Sequence, residues 1–206
     1  MFKSAVRGCF NEDERHRIVF DAVNAHIATG RLFLDYRFAQ PNRTLPMGHT
    51  NLFFPDASFP WTYESETDPF TGETDGILAR CTTRGNCPKI IHTVSVIEYW
   101  QSGQSLVTTD PLGRHDVAVP DTVRIYHIAD TQHVDFPTMP KGICALPPNP
   151  LDRRPVLRSL LPALDRWAMD GTKPPPSRYP RLDDGVQRAQ LITKLAPSRA
   201  LDLRSA

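Results

Sequence analysis

The chain has 206 residues, 40% of them hydrophobic and 23% charged, a balance that suits one globular domain of ordinary size. Its 24 basic residues nearly cancel 23 acidic ones, and no basic stripe interrupts that neutrality, which argues against nucleic-acid binding as the main task. No run approaches the roughly 18 consecutive apolar residues of a membrane span. The opening MFKSAVRGCFNEDERH lacks the apolar core and small-residue cleavage site of a signal peptide, and it leaves the compartment open.

Residues 3–18 are polar and charged, with Val6, Phe10 and Ile18 at loosely helical spacing, which predicts a helix that breaks near Gly8. The run IVFDAVNAHIA (18–28) is rich in β-branched residues and suits a buried strand of a parallel sheet, centred on 19–27. From 29 to 87 the periodicity disappears. Prolines and turn residues alternate with Phe53, Phe54, Phe59, Trp61, Tyr63 and Phe70, so the segment reads as an irregular, lid-like insertion that packs onto something. A pocket wall and a plain cover for the sheet edge fit it equally. Within it DPFTGETDG has the acidity of a Ca²⁺ loop but neither the D-x-D-x-D-G order nor the closing Glu. Cys81 and Cys87 flank the segment TTRGN, a spacing unusual for zinc; a small-loop disulfide and two free thiols both fit.

PKIIHTVSVIEYW (88–100) predicts a second strand over 89–97, with Glu98 at or just past its end. A short helix or turn at QSGQSL and a turn-rich connection follow. VRIYHIAD (123–130) predicts a third strand over 122–129, and His133 lies three residues past the end of that block. After a second proline-rich loop, Leu157, Leu160, Leu161, Leu164, Trp167 and Ala168 recur at i, i+3, i+4, i+7 spacing. They predict a helix over 154–169 that Pro162 is placed to kink and Gly171 to stop. The last twenty or so residues, 184–206, read as a weakly held tail. Three apolar runs joined by crossover-length connections predict three parallel strands side by side.

Ligands in open α/β sheets sit outside the C-terminal ends of the strands. Glu98 and His133, delivered to that edge by neighbouring strands, suit an acid–histidine pair in which the acid fixes the imidazole tautomer. His92 and His127 lie within strands and read as core or face residues. His16, His26, His49 and His115 show no metal-ligand spacing.

The blocks FNEDERHRIVFDAV, RFAQPNRT, TDPFTGETDGILARC, CPKIIHTVSVIEYW, PDTVRIYHIADTQH and LDRWAMDGTKPPPSRYPRL resemble the bacterial α/β-hydrolase-domain family over about residues 1–183. The resemblance implies a hydrolase of the carboxylic-ester class whose triad runs serine, acid, histidine along the chain. It places the histidine at His133 and the acid at Glu98, with Asp110 and Asp130 competing and Asp116 more distant. It implies no cofactor or metal, and a small ester-like molecule as substrate. The G-x-S-x-G-like nucleophile elbow that the family carries just before FKSAVRGCFNEDE has no counterpart here. The expectation is therefore the C-terminal portion of an α/β-hydrolase fold, without its earlier strands and elbow. The rival expectations are an inactive fragment, a partner that complements another chain, and a small binding module using the aromatic loop 52–70.

Overall fold

Each apolar run supplies a strand, and the sheet they form is wholly parallel. The computed structural model describes residues 11–28, 59–100, 103–133, 141–143, 145 and 151–185. In chain order its elements are β1 (Ala22–His26), β2 (Glu66–Thr67), β3 (Thr74–Asp75), α1 (Ala79–Arg84), β4 (Lys89–Ser95), α2 (Val96–Trp100), a 3-10 turn (Gln104–Val107), β5 (Val123–Ile128) and α3 (Arg154–Asp170). The main sheet has the order β1-β4-β5. β1 pairs parallel with β4, Val23 opposite Ile90, and β4 pairs parallel with β5, His92 opposite Ile125. The predicted arrangement of three adjacent parallel strands is the one observed. β4 lies in the middle and six of its seven residues are buried: the apolar Ile90, Ile91 and Val94, and the polar His92, Thr93 and Ser95, whose side chains are hydrogen-bonded.

Alternation along the strands divides the core in two. On one face Ile91 and Tyr126 pack with Leu160, Leu164 and Trp167, the apolar stripe of α3. That helix runs unbroken through Pro162 and ends at Gly171, whose φ of 80° is the left-handed C-terminal stop. Lys89 closes the far end by donating to the Trp167 and Ala168 carbonyls, and the Arg124 guanidinium lies 5.3 Å from the centroid of the Trp167 ring. Burying Leu160, Leu164 and Trp167 contributes on the order of 1.5–3 kcal/mol each.

On the other face Ala25, Ile90, Val123 and Ile125 pack with Tyr63, Ile77, Leu78, Cys81 and Val107. Residues 59–87 are therefore an inner cover, built from a two-stranded hairpin (β2–β3) and α1, and they correct the expectation of an irregular segment there. Residues 29–58, the rest of the expected insertion, lie outside the described residues. Asp68 shapes the hairpin: its carboxylate accepts from the Phe70 N–H and the Thr71 hydroxyl. Gly76 is required by close approach, since a Cβ there would sit 2.7 Å from the Glu64 carbonyl. Cys81 and Cys87 form a disulfide that closes the end of α1 against the start of β4.

The N-terminal expectations need a second correction. Residues 11–18 form a tight reversal with a Glu12–Ile18 bridge, not a helix, while residues 3–10 lie outside the described residues. The Asp13 carboxylate accepts from the Arg15 and Arg17 N–H groups, and a local bond of this type competes with helix formation. β1 is also shorter than 19–27. Ile18, Val19 and Phe20 precede it and are exposed by 52%, 48% and 58%. Among the described residues no helix is long and apolar enough to cross a membrane.

Candidate active site

The sheet's C-terminal edge is where β4 ends at Ser95 and the chain turns directly into α2. Ser95-Val96-Ile97-Glu98 has the S-x-x-E pattern of a helix start, in which the fourth residue reaches back to the first. That half of the motif is made: Glu98 Oε2 accepts from the Ser95 N–H at 3.2 Å and also from the Ser95 hydroxyl. Glu98 is only 1% exposed, and it lies in the first turn of α2 rather than at the end of the strand.

The partner arrives from β5. After Ile128 the chain reverses through Asp130, held at φ 57°, and the Thr131 hydroxyl donates to the Ile128 carbonyl at 2.6 Å. Two residues later the ring of His133 meets Glu98, with Nδ1 hydrogen-bonded to Oε1. An ionised carboxylate only accepts, so Nδ1 carries the proton and Nε2 is the basic nitrogen. The His133 side chain is 58% exposed while its carboxylate partner is sealed from water. Burial raises the Glu98 carboxyl, but the hydrogen bonds from Ser95 and His133 outweigh it and hold the group below its ordinary 4.5. A buried charge is tolerable here because both carboxylate oxygens are bonded.

The competing acids have structural work of their own. Asp110 organises the turn that follows it, accepting from the Leu112, Arg114 and His115 N–H groups. Asp116 accepts from the backbone of Leu182 and Asp183 and pairs with Arg181. Asp130 takes the left-handed φ of 57° at the turn after β5. Glu98 is the carboxylate to which the His133 Nδ1 is bonded.

The remaining histidines divide as the strand positions suggested. His92 is buried against Tyr63, whose hydroxyl lies 3.0 Å from Nδ1, and His127 packs beside the rings of Tyr99 and Trp100. His26 bonds the Thr93 hydroxyl, His16 pairs with Glu12 and His115 with Asp110. His49 lies outside the described residues. Among the described residues no group of three or more His, Cys, Asp or Glu side chains is placed to hold a metal ion. Two further residues of the site escaped the sequence reading. The S-x-x-E spacing could have pointed to Ser95, whereas Arg153, which donates to the Gln132 and His133 carbonyls, carried no sequence signal.

A parallel sheet with a covering helix, and a carboxylate–histidine pair at the ends of two adjacent strands, defines an α/β fold of the hydrolase kind. The comparison of sequences agrees: the family model described as alpha/beta hydrolase domain matches residues 8–194, and the chain belongs to that family. No curated protein and no solved structure matches it.

Proposed function

We propose that Glu98 and His133 are the acid and the base of a serine hydrolase acting on small carboxylic esters, and that the nucleophilic serine is supplied by sequence outside these residues. The observation that supports this most is the bond between the His133 Nδ1–H and a buried carboxylate at the C-terminal edge of the sheet. Glu98 fixes the tautomer, so Nε2 is free of its proton and is the atom that takes one from a serine hydroxyl. The serine oxygen bonds to the acyl carbon, and His133 returns the proton to the departing alkoxide. Water then attacks the acyl-enzyme, giving its proton to the same nitrogen, which passes it to the departing serine oxygen as the carboxylic acid is released. The Glu98 charge balances the imidazolium formed in both halves without accepting its proton.

The test has two arms. The 206-residue chain alone is assayed with activated short-chain esters beside His133→Ala, and no difference is expected, because neither nucleophile nor oxyanion donors are contributed by the residues we assign. A polypeptide extended by any in-frame upstream strand–G-x-S-x-G–helix segment is then assayed. Its kcat/KM should fall roughly 10³-fold or more in His133→Ala. Hydrolysis by the extended polypeptide that His133→Ala leaves intact would refute the assignment.

A further inference from the structure

The geometry points to Arg153 as the positioning residue for His133, an inference that rests on the reading of His133 as the base. Its guanidinium forks onto two consecutive carbonyls of the histidine loop. Nη1 donates to Gln132 at 2.6 Å and Nη2 to His133 itself at 2.9 Å. The residue is buried, 7% exposed. A cation removed from water is costly unless well bonded, and bonds to an ionised donor contribute about twice as much as neutral ones.

Helix stability gives no reason for an arginine at this position. Arg153 is the N-cap of α3, makes no side-chain cap bond, and brings positive charge to the positive end of the helix dipole. A serine, aspartate or asparagine would serve the helix better. The guanidinium instead ties the histidine loop to a rigid body. The Arg153 carbonyl receives the Leu157 N–H in the first turn of α3, and that helix is fixed to the sheet by Leu160, Leu164 and Trp167. The two halves of the pair are thus anchored separately. Glu98 is set by β4 and Ser95, whereas His133 sits on a segment without regular structure and takes its position from α3 through Arg153. A lysine would not reproduce this, because its ammonium is a point donor and not a planar fork.

The readout is the Nδ1–H proton of His133 in the 206-residue chain, observed by NMR downfield of the amide region, with its exchange rate against solvent. Arg153→Met should speed that exchange roughly 10-fold or more, or broaden the signal away, as loss of charge-assisted bonds implies. Arg153→Lys should do so in part, and Arg154→Met, at the neighbouring exposed cation paired with Asp152, should leave it unchanged. An arginine that merely stabilised the fold would lower the melting temperature while the folded population kept the signal. If Arg153→Met does not fold, Arg153→Lys decides. Wild-type exchange in the folded Arg153 variants, with the signal lost in Glu98→Gln, would overturn the role of Arg153 and spare the acid–histidine pair. A signal untouched by Glu98→Gln would remove the pair itself.

Discussion

Two histidines of the same sheet, His92 in its interior and His133 at its C-terminal edge, are each bonded through Nδ1 to another side chain, and the surroundings give them opposite chemistry. His92 is 3% exposed and faces the Tyr63 hydroxyl; burial drives its pKa down to about 4 and that of the phenol up. Both partners are therefore uncharged at neutral pH, and the pair is a packed polar bridge between β4 and the inner cover. His133 is half-exposed and faces a carboxylate held ionised. Of these two pairs, the one at the edge has a negative charge ready to balance a protonated ring. What separates a structural histidine from a candidate base is the charge state of its partner and the access of its second nitrogen, not the presence of a hydrogen bond.

The interior pair carries the larger effect on stability. A histidine whose folded pKa is depressed binds fewer protons folded than unfolded between about 4 and the ordinary 6.5. Stability is then fully present above 6.5 and falls as pH drops toward 4, by on the order of 3 kcal/mol. Unfolding in denaturant across that range should show the slope, and His92→Asn should flatten it. An unchanged slope would mean that another group titrates there.

Glu98→Gln should come next, costing about 1.5–3 kcal/mol at pH 7 as the charged hydrogen bonds weaken. The sign is the same but the window is lower. A carboxyl with a depressed folded pKa stabilises above its unfolded value near 4.5 and loses that contribution as pH falls through the folded one. The difference between wild type and variant should therefore shrink below pH 4.5 in paired denaturation curves. A difference that grows on acidification would contradict the ionised state of Glu98. The smallest effect is expected at Asp110→Asn, about 1 kcal/mol, since its bonds to backbone N–H groups are weakened but not abolished. In the extended polypeptide this variant should keep kcat/KM within a few-fold of wild type.

Much of this arrangement was legible in the sequence, for a physical reason. A central parallel strand is covered on both faces and draws on β-branched apolar residues, so Ile90, Ile91 and Val94 marked β4 despite the polar residues between them, and the leucine and tryptophan spacing announced α3 because one face of it is buried. Glu98 and His133 lie just beyond such runs, a placement shared with many solvated loop residues, and it was the family resemblance that singled them out. Ile18–Phe20 misled because an apolar stretch looks alike whether it pairs or precedes the strand. The hairpin and the six-residue α1 of the inner cover were too short for any period to show. Arg153 was invisible for a different reason. A single arginine before a helix looks like surface charge, and its burial depends on a loop twenty residues earlier in the chain.

The acid–histidine pair is tested most directly by the downfield Nδ1–H signal of His133 in three variants of the 206-residue chain. Glu98→Gln should weaken or remove it, because the neutral amide is a poorer acceptor, while Asp110→Asn and Asp130→Asn should leave it in place. A signal that survives Glu98→Gln and disappears in either aspartate variant would show that the acid of the pair is another residue.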